Sequence, residues 1–131
     1  MRIGIPTEIK PKEGRVALVL AAAAEIVRSG HEVYLHSGAG VLTGYPDETY
    51  ARVGVKIAGD AADLYARSQM VVKVKEPIEP EFDLLREDHL LFSFLHLAAL
   101  PKVARMLQDK GLTAVAWETV EEEGKLPSLR P

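Results

Sequence analysis

Short β-rich runs alternate along this chain with longer stretches of helical spacing, and such alternation is the pattern of strand–helix–strand units that build a parallel sheet. The strands are expected at residues 2–5, 32–35, 55–57, 70–73, 89–94 and 113–117. Helices are expected at 20–29, Ala-rich and closed by Gly30, from a capping Asp47 to Gly54, from the Asp60 and Asp63 capping signal to about Arg67, and from Pro101 to Gly111. The run 89–94 is apolar apart from Ser93, which suits an internal strand covered on both faces. At 131 residues the chain has the length of one domain. The expected fold is therefore α/β, a Rossmann-like (flavodoxin-like) parallel sheet flanked by helices.

Composition narrows the function classes. A hydrophobic share of 47% with 27% charged residues of mixed sign is that of a folded chain, not a disordered one. With 16 Lys+Arg against 19 Asp+Glu, the net charge of -3 gives no general attraction to nucleic acid or to an anionic membrane. The absence of cysteine removes disulfides, thiolate nucleophiles and cysteine-ligated zinc. Pro6 arrives before any leader-like apolar stretch, and the longest apolar run, 16–24, falls short of the ~20 residues that cross a bilayer, so a soluble, cytoplasmic protein is expected.

In a parallel sheet, ligands bind beyond the carboxyl ends of the strands. The loop after the first strand holds Lys10, Lys12 and Arg15, the one after the fourth holds Lys75 and Glu76, and His96 and Glu118 follow the last two. Arg15 can hold a small carboxylate through two parallel N–H bonds; the plainer alternative is a solvated loop arginine. In Lys73-Val-Lys-Glu-Pro77, alternation sends Lys73 and Lys75 to one face and Val72 and Val74 to the other, and Pro77 stops the strand with Lys75 at its end. Lys75 then meets a substrate carboxylate or carbonyl, unless these lysines only protect an edge strand against aggregation. His96 can move a proton near neutral pH, the alternative being a satisfied core histidine.

Other chemistries are poorly supported. His31, His36, His89 and His96 show none of the close pairing of zinc ligands, so no metal site is expected. No nucleophile-elbow sequence surrounds Ser93 or any other serine. Gly38-Ala-Gly40 with Gly44 places the third glycine one residue late for a dinucleotide fingerprint, and Pro46-Asp47 starts the helix after the glycines, so this loop reads as a structural turn.

Taken together, Arg2-Ile-Gly-Ile-Pro-Thr-Glu-Ile-Lys10, Glu13-Gly-Arg-Val-Ala-Leu18, Gly30-His-Glu-Val33, Val72-Lys-Val-Lys-Glu-Pro77, Leu95-His-Leu-Ala98 and Trp117-Glu-Thr-Val120 resemble the N-terminal part of the alanine dehydrogenase family. Related sequences are the nucleotide-binding subunit of proton-pumping transhydrogenase and, more distantly, saccharopine dehydrogenase. The resemblance implies that Arg15 and Lys75 bind the carboxylate and oxo group of pyruvate or alanine, and that His96 is the acid/base. It implies reversible, NAD-dependent oxidative deamination of L-alanine to pyruvate and ammonia in a homo-oligomer, a hexamer in the complete enzyme. NAD would be held by a following domain, and the substrate domain would be completed by a C-terminal segment, neither of which lies within residues 1–131. The acidic-to-polar stretch 121–131 reads as a connector toward them. The isolated chain is expected to be inactive and to expose apolar surface.

Three departures stand out. Val19-Leu20 and four alanines replace the Thr-Pro that commonly caps the family's first helix, Val41-Leu42 stands where a further glycine is usual, and Phe94 replaces a tyrosine. Two rival readings are a non-catalytic oxo-acid-binding or assembly module, and a transhydrogenase-like subunit.

Overall fold

The structure is a computed structural model, described here for residues 1–9, 13–95 and 100–116. The elements run β1 (Arg2–Ile5), α1 (Leu20–Arg28), β2 (Glu32–His36), α2 (Asp47–Arg52), β3 (Lys56–Ala58), α3 (Ala61–Arg67), β4 (Met70–Val72), α4 (Glu79–Phe82), β5 (Leu90–Ser93), α5 (Pro101–Lys110) and β6 (Thr113–Ala116). All pairings are parallel, and the order β3-β2-β1-β4-β5-β6 is the Rossmann one among doubly wound sheets. The chain winds outward from β1 to β3, then returns to lay β4 against the other side of β1, so the direction of winding reverses between β1 and β4.

Alternation along each strand sorts the apolar side chains onto two faces. Ile3, Ile5, Val33, Leu35 and Val72 pack with Ala23 and Tyr50 from α1 and α2. Tyr34, Val71 and Leu91 pack on the opposite side with Leu64 and Tyr65 of α3 and Val103, Met106 and Leu107 of α5. The sheet is thus covered on both faces, as a run of apolar strands requires. Gly4 belongs to this packing: a Cβ there would lie 1.8 Å from Ser68 Oγ, so only glycine lets the end of α3 approach β1 this closely.

The helix ends follow the sequence signals in most places. Asp60 caps α3 by accepting the Asp63 N–H at 2.7 Å, and Gly30 follows α1 with φ 96°. Two expectations need correction. Asp47 is the first residue of α2 rather than its cap, because its carboxylate is already engaged by the Gly38 N–H at 2.8 Å and the Ser37 hydroxyl at 2.6 Å. The short α4 escaped the sequence reading, although Pro80 in its first turn and Glu81, whose Oε1 accepts the Ile78 N–H at 3.1 Å, are helix-start signals. Trp117 and the stretch 121–131 lie outside the described residues.

His89 sits just before β5, buried, with Nδ1 accepting the Arg86 N–H at 2.9 Å and Nε2 2.8 Å from the Tyr65 carbonyl. That pair of contacts fits the neutral ring with its proton on Nε2. Burial, above all, holds the His89 pKa below its ordinary value of 6.5. The unfolded chain therefore binds a proton before the folded one, and His89's contribution to stability is present above about pH 6.5 and lost as pH falls through that value toward the folded pKa. Denaturant unfolding followed from about pH 7.5 down to about pH 5 should show stability falling, and His89→Gln should flatten that slope while lowering stability at the upper end.

Val19 precedes α1 in an extended conformation (φ -69°, ψ 160°), half-exposed and with no side-chain cap. Val19→Thr adds a hydroxyl at that position and should stabilise the protein by about 1 kcal/mol in thermal or denaturant unfolding.

Candidate functional site

The connection leaving β1 and the one leaving β4 flank the point where the winding reverses, the place at which sheets of this order leave a crevice. β4 ends at Val72, and the Lys73 N–H continues the ladder to the Phe92 carbonyl at 2.9 Å before the backbone bends at Val74 and Lys75. The alternation expected through Lys75 therefore fails. Lys73 and Lys75 do not share an environment, since Lys73 is only 1% exposed whereas Lys75 is half-buried on the bend. Edge protection is also excluded, because β4 lies between β1 and β5.

A buried charge needs partners, and Lys73 has two carboxylates. Its Nζ lies 2.9 Å from Glu81 Oε2 and 3.2 Å from Glu8 Oε1. Glu81 Oε2 also accepts the Tyr65 hydroxyl at 3.2 Å. Burial, followed by the Glu81 charge, pushes that hydroxyl well above the usual tyrosine range, so it stays a donor. Glu8 reaches across from the β1 connection: its Oε2 accepts the Val74 N–H at 3.0 Å and its Oε1 the Lys75 N–H at 3.1 Å. One carboxylate thus holds two backbone groups of the bend and the buried ammonium.

Further along the same connection, Arg15 grips Glu13 with Nε to Oε2 at 2.8 Å and Nη2 to Oε1 at 2.7 Å. This contact holds the Glu13 carboxyl down to about 2, with the Lys75 charge adding to the effect. Glu13 in turn raises the Arg15 pKa, and Glu8 adds to that. Glu13 thus feels the charges of both Arg15 and Lys75, and Arg15 those of both Glu13 and Glu8. The Arg15 side chain is 62% exposed, and Glu13 engages only its Nε and Nη2. Among the described residues, no hydrogen bond or ion pair holds the Lys75 ammonium.

The structure therefore brings Arg15 and Lys75 to one end of the sheet. Lys10, Lys12, His96 and Glu118 lie outside the described residues. The sequence reading missed Glu8, Glu13, Tyr65 and Glu81. Glu8 had a signal: a carboxylate three residues past a buried strand, in a loop expected to border a ligand. Lys73 on an apolar run was itself a demand for a buried anion. In the Gly38 loop the Asp47 carboxylate takes the Gly38 N–H that a phosphate would need. A shallow cleft of about 310 Å³ lies elsewhere, lined by Phe82, Pro101, Lys102, Arg105, Met106 and Asp109 and by none of the residues above. No cluster of three His, Asp or Glu side chains suited to a metal ion occurs among the described residues, and no described helix is long and apolar enough to cross a membrane.

Comparison with known proteins places these features in a family. The family model described as alanine dehydrogenase/PNT, N-terminal domain, matches residues 4–131. Alanine dehydrogenase of Bacillus subtilis is 44% identical over 131 residues, covering 100% of this chain and 34% of the relative. That of Methanococcus maripaludis is 42% identical over 132 residues, covering 100% and 35%. A solved L-alanine dehydrogenase superposes with a TM-score of 0.94 at 44% identity, over 97% of this chain and 35% of that one. A transhydrogenase from Sinorhizobium meliloti gives 0.85 at 25% identity, over 93% and 36%. The chain spans about a third of the length of the curated relatives it matches. With the motif set, the sheet order and these likenesses in agreement, the chain belongs to the alanine dehydrogenase/PNT N-terminal domain family.

Proposed function

We propose that residues 1–131 form the substrate domain portion of an NAD-dependent alanine dehydrogenase, which interconverts L-alanine with pyruvate and ammonia. The observation that supports this reading is that Lys75 and Arg15 lie on the two connections that flank the reversal between β1 and β4, with the charge of each acting on Glu13. Two cations on separate loops suit a small oxo acid: the exposed N–H groups of Arg15 donate to its carboxylate, and the Lys75 ammonium neutralises and orients the carboxylate or oxo oxygen. Glu13 holds the guanidinium in one pose from the other side. His96 takes the acid/base role by its match to the family's Leu-His-Leu-Ala motif, holding or releasing the proton of the substrate oxygen.

NAD does not fit the described residues of this chain. The Gly38 loop is closed by Asp47, and α2 begins after the glycines with Asp47 and Glu48 in its first turn, which places negative charge where a pyrophosphate would sit. The hydride acceptor is accordingly assigned to a domain of the kind that makes up the rest of the longer relatives, in a soluble homo-oligomer such as a hexamer. A transhydrogenase-like subunit is the second reading, supported by the Sinorhizobium meliloti likeness.

In the complete polypeptide that carries this domain, Lys75→Ala and Arg15→Ala should each raise the pyruvate KM strongly, because both contact the substrate before and during reaction. His96→Ala should instead lower kcat by about 100-fold or more across the pH range. Turnover of the His96 variant within a few-fold of the parent removes the acid/base role, and a parent that oxidises no alanine removes the dehydrogenase reading.

The isolated chain should neither oxidise alanine nor bind NADH. Val19, Val41 and Leu42 are 52%, 55% and 81% exposed, and Leu42 lies against Gly14 in the Arg15 connection, so an apolar rim borders the site. Self-association of the isolated chain is expected from that rim. NADH fluorescence titration checks the first point, where saturable micromolar binding is the contrary result, and sedimentation checks the second.

A further inference from the structure

The buried carboxylate of Glu8 has no part in the chemistry proposed above, yet it ties the connection after β1 to the bend after β4. It comes from the connection after β1 and ends on the bend after β4, through bonds to Val74 N–H at 3.0 Å, Lys75 N–H at 3.1 Å and Lys73 Nζ at 3.2 Å. We propose that Glu8 is the positioning residue for Lys75: by clamping the backbone of the Val74–Lys75 bend it fixes where the Lys75 ammonium stands relative to Arg15, and so sets the spacing of the two groups that hold the substrate. The proposal rests on the reading of Lys75 and Arg15 as the oxo-acid site.

The physical argument is one of restraint. The bend lacks helix or strand structure, and among the described residues its Val74 and Lys75 N–H groups are held by Glu8 alone. The clamp is itself anchored: the Glu8 side chain is 1% exposed and is tied to the equally buried Lys73, which also pairs with Glu81. A charged acceptor for backbone N–H groups makes stronger bonds than a neutral one. Replacing it by an amide leaves one acceptor oxygen for three donors and turns an NH₂ toward them, which releases the bend.

The test is a mutant cycle in the complete polypeptide, with Glu8→Gln, Lys75→Ala and the double variant compared for pyruvate KM and kcat, and for pyruvate affinity by calorimetry. Glu8→Gln should raise the pyruvate KM about tenfold to a hundredfold, as misplacement of a binding group by about 1 Å does. The double variant should be no worse than Lys75→Ala, since a clamp acting through Lys75 has nothing left to position. A merely structural role would reduce the amount of folded protein without changing the KM of the folded fraction. Glu8→Asp keeps the charge beside Lys73 but shortens the reach by one methylene, so it should move KM in the same direction in a protein that still folds. Parental KM in the Glu8→Asp variant, or effects of Glu8→Gln and Lys75→Ala that multiply, would overturn the proposal. Pyruvate binding with the expected non-additivity but without alanine turnover would sustain it while sinking the dehydrogenase reading.

Discussion

The Lys73 ammonium is buried just past the end of β4, a strand flanked by β1 and β5, and the local arrangement follows from the need to partner it. Removing an ammonium from water costs several kcal/mol even after the protein relaxes, and only close, well-aligned anions offset that cost. Glu8 and Glu81 supply them, each from a different connection, so both connections must come to the end of β4. Glu81 arrives because α4 turns the chain back, with its own carboxylate holding the Ile78 N–H. Glu8 arrives because the segment after β1 passes across the sheet end. Loss of Lys73 strands two buried carboxylates, and breaking such a pair typically costs about 3–5 kcal/mol.

Strand direction decides where chemistry can occur. With every strand parallel, each strand-to-helix connection leaves from the same end, and only at the reversal between β1 and β4 do neighbouring connections diverge to opposite faces. Arg15 follows β1 and Lys75 follows β4, so topology alone brings these two residues to the crevice although they are remote in sequence. The buried Glu8–Lys73–Glu81 group ties together the connections after β1 and after β4.

Much of the architecture was legible because it rests on local rules. Alternation of strand and helix patterns located β1, α1, α3 and α5, and Gly30, Asp60 and Gly111 marked their ends through left-handed backbone or a capping oxygen. Two errors share a cause. Extending β4 through Lys75 and making Asp47 a cap both assumed that a side chain answers to its own segment. In fact Lys73 answers to Glu8, 65 residues away, and Asp47 to Gly38 in the preceding loop. Arg15 and Lys75 could be picked out because cations at strand ends are conspicuous, whereas Glu8 offered only its place past β1 and Glu13 less, since a carboxylate's role there depends on which loop it reaches.

The Arg15–Glu13 pair has a consequence for substrate binding under the proposed function. Glu13, held down to about 2, remains an anion at any pH at which the protein works, so a substrate carboxylate approaching Arg15 meets a second negative charge on the same guanidinium. The fork geometry softens this, because Glu13 occupies Nε and one Nη2 hydrogen and leaves the Nη1 side for the newcomer. It does not remove it. The additional positive charge comes from Lys75, whose field already reaches Glu13. Under the proposed function Lys75 would do two things at once: attract the substrate and screen it from Glu13. Arg15 and Lys75 are in that sense one binding unit, and their separation matters as much as their presence.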